Sequence, residues 1–242
     1  MIRDVLPAFQ RSALLLDLDG TLIDIAPTPD SVVIPPGLTD TLRSLSDRLD
    51  GAVAIVTGRA IDVVDRLLPD TALAIAGEHG GAIRYTQGSS IERPDLPTAP
   101  EAWVREAADI VAAWPGSILE RKARGFALHY RAVPDAEPTF RLALQAMLAT
   151  VPGFQMLPGL MLWEVRPIGA DKGRAVAELM RRSPFAGRVP VFIGDDVTDE
   201  DGMTVARAMG GAGLRVEPAF GSPTQVRAWL HQAAATGNWP DL

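Results

Sequence analysis

The sequence predicts an α/β protein, a doubly wound parallel sheet with a small α+β domain inserted into it. Three observations predict this. Short runs at residues 13–16, 52–56, 72–76 and 189–193 are apolar throughout rather than alternating, and 213–216 is apolar but for Arg215, the pattern of strands buried on both faces. Stretches with helical spacing, at 38–49, 61–68, 174–180 and 200–209, lie between them, the order of a sheet built from strand–helix–strand units. The middle of the chain instead reads helix, hairpin, helix, hairpin, an α+β order. The expected division is residues 1–98 and 168–242 for the core and 99–167 for the inserted domain.

Taken in order, the first strand runs straight into Asp17-Leu18-Asp19-Gly20-Thr21. Residues i and i+2 of an extended strand point the same way, so Asp17 and Asp19 address one small volume, and the glycine that follows is turn chemistry. The second strand leads into Thr57-Gly58-Arg59, the third into Gly77-Glu78-His79-Gly80, the fourth into Gly194-Asp195-Asp196. Parallel sheets bind ligands beyond the carboxyl ends of their strands, and all four polar clusters fall on that one rim. In the middle, the prolines between 94 and 100 mark a connection, and residues 103–114 have helical spacing. Residues 117–131 read as a hairpin turning at Arg124-Gly125, residues 140–148 as a helix, and residues 154–165 as a second hairpin turning at Pro158-Gly159.

Bulk properties narrow the function. The chain has 242 residues, 47% hydrophobic and 22% charged, enough for a sizeable core and unlike a disordered chain. A formal net charge of -7 argues against nucleic acid or an anionic membrane as the main partner. No apolar stretch reaches the length that spans a bilayer, and Met1 to Pro7 lacks a signal-peptide core. There is no cysteine, which excludes disulfides, thiolate metal sites and cysteine nucleophiles. A cytoplasmic protein acting on a small molecule is expected, with a monomer as the working expectation.

The rim residues suit phosphoryl chemistry. An Asp carboxylate can attack phosphorus and form an aspartyl-phosphate, and a second acid can protonate the leaving oxygen and later deprotonate water. Asp17, first off the strand, takes the nucleophile's role and Asp19 the acid/base role. Magnesium takes one or two carboxylates plus phosphate oxygen; Asp195 with Asp17 suffices, leaving Asp196 and Asp199 to orient them. Asp199, Glu200 and Asp201 also read as an acidic first helical turn. Asp171 reads as a helix N-cap, which puts Lys172 at a helix start, where an ammonium can hold phosphate. Thr57 offers a hydroxyl and a backbone N–H to the same oxygens. Arg59 either aids binding or pairs with a nearby acid. In the inserted domain, Glu120, Lys122, His129, Tyr130, Arg131 and Glu164 form a polar set suited to the hydroxyls of a sugar.

With these residues in hand, the chain resembles the haloacid dehalogenase superfamily of phosphohydrolases. The motifs Asp17-Leu18-Asp19-Gly20-Thr21, Thr57-Gly58-Arg59, Lys172 and Gly194-Asp195-Asp196 carry the likeness. Within the superfamily it is similar to the trehalose-6-phosphate phosphatases. That narrower match lies in Asp24-Ile25-Ala26-Pro27-Thr28-Pro29, Gly77-Glu78-His79-Gly80, Glu120-Arg121-Lys122, residues 126–131, Glu164-Val165-Arg166-Pro167 and residues 194–200. The resemblance, from about Ala13 to Gly210, implies a Rossmann-like core with a cap and magnesium-dependent release of phosphate from trehalose 6-phosphate. It implies Asp17 as nucleophile, Asp19 as acid/base, and Thr57 and Lys172 on phosphate. Asp17, Asp195 and the main-chain carbonyl of Asp19 would bind magnesium. Glu120, Lys122, His129 and Glu164 would contact the disaccharide from the cap, with Arg131, Arg59 and His79 as further substrate contacts. No synthase segment is attached, so a stand-alone phosphatase is expected. Trp163 is larger than the residue the resemblance implies. The rival readings are another capped sugar-phosphate phosphatase of the superfamily, of sucrose-phosphate or mannosyl-glycerate type, a phosphomutase, or a non-catalytic sugar-phosphate sensor.

Overall fold

The computed structural model describes residues 5–26 and 31–242; Met1 to Asp4 and the Pro27, Thr28 and Pro29 of the signature segment lie outside them. The chain divides into two compact units, Met1–Arg93 with Asp171–Leu242, and Pro94–Ala170.

The first unit is built on β1 (Ser12–Leu16), α1 (Leu38–Arg48), β2 (Val53–Val56), α2 (Ile61–Leu67), β3 (Ala74–Gly77) and β4 (Ala82–Arg84). Every residue of β1, β2 and β3 is buried. The apolar runs become central strands because both of their faces are covered. Removing each of Leu14, Leu15 and Leu16 from water is worth about 1.5–3 kcal/mol. α1 buries Leu38, Thr41, Leu42 and Leu45, the i, i+3, i+4, i+7 stripe of an amphipathic helix.

The second unit contains α3 (Glu101–Ala112), β5 (Ile118–Arg121), β6 (Phe126–His129), α4 (Glu137–Leu148), β7 (Phe154–Gly159) and β8 (Leu162–Pro167). The chain then returns to the first unit through α5 (Lys172–Leu179), β9 (Val189–Gly194), α6 (Asp199–Ala208), β10 (Ala212–Arg215), α7 (Val216–Ala219) and α8 (Pro223–Thr236). α8 starts on a Ser222 cap that accepts from the Gln225 N–H, with Pro223 in its first turn. It buries Val226, Trp229, Leu230 and Ala233.

Among the described residues the first unit's sheet has the strand order β10-β9-β1-β2-β3-β4. All pairs are parallel except β3 with β4. β1 therefore lies between β9 and β2, and the chain leaves it in opposite directions on its two sides. Such a switch point opens a crevice at the carboxyl ends of the strands. The expected doubly wound core is present, with β4 as an antiparallel edge beyond the strands that were expected.

The second unit's sheet, β5-β6-β8-β7, is antiparallel. Side-chain alternation sorts its faces. Leu119, Phe126, Leu128, Trp163 and Val165 share one face and join a core with Trp103, Ala107, Phe140 and Leu144 of α3 and α4. Glu120, Lys122, Ala127, His129, Glu164 and Arg166 occupy positions on the other face. This α+β unit fits the expected cap. Its second hairpin differs from expectation: the turn is at Leu160-Met161, with Met161 at φ 62, and Pro158 and Gly159 pair with Trp163 and Leu162 inside the hairpin. β7 is the sheet's edge, where proline is tolerated, and the need to bury Val165 on the helix side sets the register. Trp163 is accommodated because its indole N–H donates to Glu137 Oε1 at 3.1 Å. Tyr130, read from sequence as part of the polar set, packs edge-on to Phe140 in the same core. Among the described residues no helix is long and apolar enough to cross a membrane.

Candidate active site

The end of β1 delivers Asp17 into the crevice, its backbone N–H already paired with the Ile193 carbonyl of β9 at 2.9 Å. That sheet bond places the ends of β1 and β9 side by side, so Asp17 and Asp195 lie close although 178 positions apart in number. The Thr21 hydroxyl lies 3.3 Å from Asp17 Oδ2 and 3.2 Å from Asp195 Oδ1. Gly20 between them sits at φ +79, and a Cβ there would fall 2.1 Å from Asp195 Oδ2. Only glycine allows both the left-handed turn and this approach.

Lys172 arrives from the first turn of α5. As expected, Asp171 caps this helix, accepting from the Arg174 N–H at 2.7 Å. The Lys172 ammonium donates to Asp17 Oδ1 at 2.6 Å and to Asp199 Oδ1 at 2.5 Å. All three side chains are at most 5% exposed. The other oxygen of Asp199 accepts from the backbone N–H groups of Asp195 and Asp196 at 3.1 and 3.0 Å. One carboxylate thus fixes the lysine with one oxygen and the β9–α6 turn with the other. Asp196 reaches this network through its backbone; its carboxylate accepts from the Val197 N–H at 2.6 Å.

One ammonium serves several acids, and the electrostatics follow from that. Burial pushes Asp17 well above the ordinary carboxyl value, and the nearby Asp199 adds to the effect while Lys172 opposes it. Asp195 is raised to about 6 by burial first and then by Asp199 and Asp196. Burial would lower Lys172, yet Asp17 and Asp199 more than reverse it and hold the ammonium charged. Carboxylate oxygens of Asp17, Asp195 and Asp199 lie within 4.8 Å of one another. This cluster of hard oxygens carries more negative than positive charge, so the donor set fits a small divalent cation. Asp199 already spends both oxygens on Lys172 and two amides, so Asp17 and Asp195 are the better-placed ligands.

Thr57, Arg59 and His79 meet on the neighbouring strand ends. The Thr57 Oγ1 accepts from the Arg59 N–H at 3.2 Å. The His79 N–H donates to the Thr57 carbonyl at 2.9 Å, and the Glu78 N–H to the Arg59 carbonyl at 3.0 Å. Glu78 and His79 both take φ 54, a left-handed conformation that costs a non-glycine residue about 1–2 kcal/mol. The His79 ring crosses Gly58, where a Cβ would lie 2.5 Å from His79 Nε2. The Arg59 guanidinium reaches Asp19, with Nε 2.7 Å from Oδ2 and Nη2 2.6 Å from Oδ1.

In the second unit, His129 Nε2 lies 2.8 Å from Glu120 Oε2, and Lys122 Nζ lies 3.2 Å from Glu164 Oε1 and 3.9 Å from Glu120 Oε1. Register explains the cluster, since Glu120 and Glu164 flank Ala127 on either side of β6. The small Ala127 leaves room for the long side chains above it. The hydrogen bond from His129 lowers Glu120, burial opposing and Lys122 assisting. Burial pulls Lys122 down, but Glu164 and Glu120 raise it above its ordinary value. Arg131 is exposed in the turn after β6. The hydroxyl of Thr21, part of the leading motif, takes its place between Asp17 and Asp195, whereas the buried Arg166 was given no role by the sequence reading. The i, i+2 spacing of Glu164 and Arg166 was the available signal for it.

A buried carboxylate–ammonium pair with a hydroxyl-bearing turn beside it, at the switch point of a parallel sheet, defines a phosphoryl-transfer class of site. Sequence comparison narrows the class. The family model described as trehalose-phosphatase matches residues 15–228. A probable trehalose-phosphate phosphatase of Sinorhizobium fredii is 40% identical over 210 residues, covering 85% of this chain and 78% of the relative. The trehalose-6-phosphate phosphatase of Escherichia coli is 36% identical over 208 residues, covering 84% and 77%. The C-terminal domain of the Candida albicans trehalose-6-phosphate phosphatase superposes with a TM-score of 0.75 over 93% of this chain and 92% of that one, at 22% identity, a likeness of fold. The chain belongs to the trehalose-phosphatase family.

Proposed function

We propose that this chain hydrolyses trehalose 6-phosphate to trehalose and phosphate, with Asp17 as nucleophile. The observation that carries the reading is the buried Asp17–Lys172–Asp199 set beside Asp195, in a chain matched by this family over residues 15–228.

Asp17 attacks phosphorus while the sugar oxygen departs, and Asp19 gives that oxygen a proton. Water then attacks the aspartyl-phosphate, Asp19 takes its proton, and phosphate leaves Asp17. Lys172 and Thr57 hold the phosphoryl oxygens through both displacements. Asp199 keeps Lys172 aimed and, with the amide of Asp196, holds the turn that bears Asp195. Asp17, Asp195 and the main-chain carbonyl of Asp19 would hold magnesium. Magnesium bound there supplies positive charge that reduces the repulsion between the Asp17 carboxylate and an incoming phosphate dianion.

The sugar falls to the polar face of the second unit. Carboxylates accept from sugar hydroxyls and ammonium groups donate to them, and Glu120, Lys122, His129 and Glu164 interleave both kinds. Arg131, and His79 of the first unit, are proposed as further contacts.

A substrate panel tests the reading. Trehalose 6-phosphate should exceed sucrose 6-phosphate and glucose 6-phosphate in kcat/KM by at least about 100-fold, as expected of a site that hydrogen-bonds specific hydroxyls. Equal rates across the panel would overturn the substrate. Asp17→Asn should stay folded and lose turnover; an active variant would overturn the nucleophile.

A further inference from the structure

Granted the phosphatase reading, we propose that Arg59 is a positioning residue for Asp19: it fixes the carboxylate with a two-point grip and does not contact the substrate. The two acids at the end of β1 have different partners. Asp17 belongs to Lys172, whereas both oxygens of Asp19 face Arg59, at 2.6 and 2.7 Å. A planar guanidinium on both oxygens of a carboxylate sets its plane as well as its position, which a point charge cannot do.

Arg59 is itself held at its root. Its N–H donates to Thr57 Oγ1 at 3.2 Å and its carbonyl accepts from the Glu78 N–H at 3.0 Å. The Arg59 side chain is 15% exposed and that of Asp19 34%, so the pair is shielded on the arginine side and open on the carboxylate side. The Asp19 backbone is tied into the turn by its bridge to Ile23 and by the Gly20 N–H on the Ile23 carbonyl at 2.8 Å. Among the described residues Arg59 is the side chain that holds the Asp19 carboxylate, so with the backbone tied as well, that grip sets the torsions of Asp19. Each carboxylate oxygen has a second lone pair, so the grip orients Asp19 without using it up.

An acid/base group must sit within hydrogen-bond reach of the oxygen it serves, and a misplacement of about 1 Å can cost on the order of 100-fold in rate. A guanidinium that binds phosphate and one that orients the acid predict different losses. The discriminating pair is trehalose 6-phosphate, whose alkoxide needs a proton to leave, and p-nitrophenyl phosphate, whose phenolate leaves without one. kcat/KM reports the steps up to that departure.

Arg59→Met should lower kcat/KM for trehalose 6-phosphate by about 10- to 100-fold, through kcat, with KM held within about threefold. For p-nitrophenyl phosphate kcat/KM should change by less than about threefold. Arg59→Lys should recover little of the loss, since one point of contact does not set the plane. Equal losses on both phosphates, a tenfold rise in KM with kcat kept, or no loss on either would each overturn the proposal. If Arg59→Met does not fold, Arg59→Gln carries the same comparison. The wild-type panel above separates the two readings. A chain that prefers another sugar phosphate fails the substrate assignment, and the ratio against the aryl phosphate is then read on that preferred substrate.

Discussion

Lys172→Met is the sharpest test of how the core is held together. The substitution keeps the side-chain length and removes the charge shared by Asp17 at 2.6 Å and Asp199 at 2.5 Å, both buried. Breaking a buried pair by removing one partner costs about 3–5 kcal/mol, because a charge is left uncompensated. The cost has a ceiling, since a stranded carboxylate can take up a proton. At pH 7 that costs about 1.36 kcal/mol for each unit above an unfolded value of about 3.9, or roughly 4 kcal/mol. Asp199 retains its two amide donors, so Asp17 is the group left stranded, and the expected loss is about 3–4 kcal/mol. For a domain of this size that lowers the melting temperature by roughly 6–16 °C. The sign of the pH dependence follows. A folded-state carboxyl raised above its unfolded value leaves the native state favoured in acid, so the deficit shrinks as pH falls from 7 towards 4. Urea unfolding with EDTA present, read by hydrogen exchange at the β1 amides, measures the deficit in the first unit alone. Lys172→Met/Asp199→Asn should recover part of it by removing one of the two anions. A deficit below about 1 kcal/mol, or one that is the same at pH 7 and pH 5, would refute the reasoning.

The other expectations concern the second unit's cluster and the metal. Glu120 is lowered from 4.5 by His129 and Lys122, so its contribution to stability is present above 4.5 and is lost as pH falls through the depressed value. Burial pulls Lys122 down, but Glu164 and Glu120 raise it above 10.5, so its contribution is present below 10.5 and fades above. Glu120→Gln should therefore lower the melting point of this unit near pH 7 and flatten the acid limb; coincident melts of variant and wild type from pH 3 to 8 would contradict this. Chelation should abolish turnover and magnesium restore it, with magnesium at 100 times its dissociation constant stabilising the fold by about 2.7 kcal/mol. Asp195→Asn should weaken magnesium binding at least tenfold by calorimetry, and full activity after exhaustive chelation would exclude the metal site.

What could be read from the sequence was whatever depends on local pattern. β1, β2 and β9 announced themselves because strands buried on both faces read as near-continuous apolar runs. Asp17, Asp19 and Asp195 stood out because each ends such a strand. The Asp171 cap and the start of α5 follow from side-chain chemistry within three residues. The misses share a different cause. β4 has three residues, Ala82-Ile83-Arg84, too few for a period to show. The Pro158-Gly159 dipeptide is strong turn chemistry, and it lost to the register that buries Val165 against α3 and α4. α8 lies beyond the stretch that carries the motifs, although Val226, Trp229, Leu230 and Ala233 have the spacing of a buried helical face.

The partner of Asp19 belongs to the same class of problem, and it shows why the site was less legible than the fold. Arg59 is 40 positions away and follows a different strand; only the parallel pairing of β1 with β2, Leu16 opposite Ile55, brings the two turns level. Spacing within one strand can say that two acids share a volume, but not which cation each receives. Lys172 and Arg59 were equally available by charge. The sheet register and the α5 cap deliver the point-charged lysine to Asp17, and the turn tied to β3 delivers the planar guanidinium to Asp19. The two carboxylates of one motif are separated chemically by that difference. In the proposed mechanism a compact ammonium would neutralise the acid that approaches a phosphate, while a rigid fork would orient the acid that meets a proton.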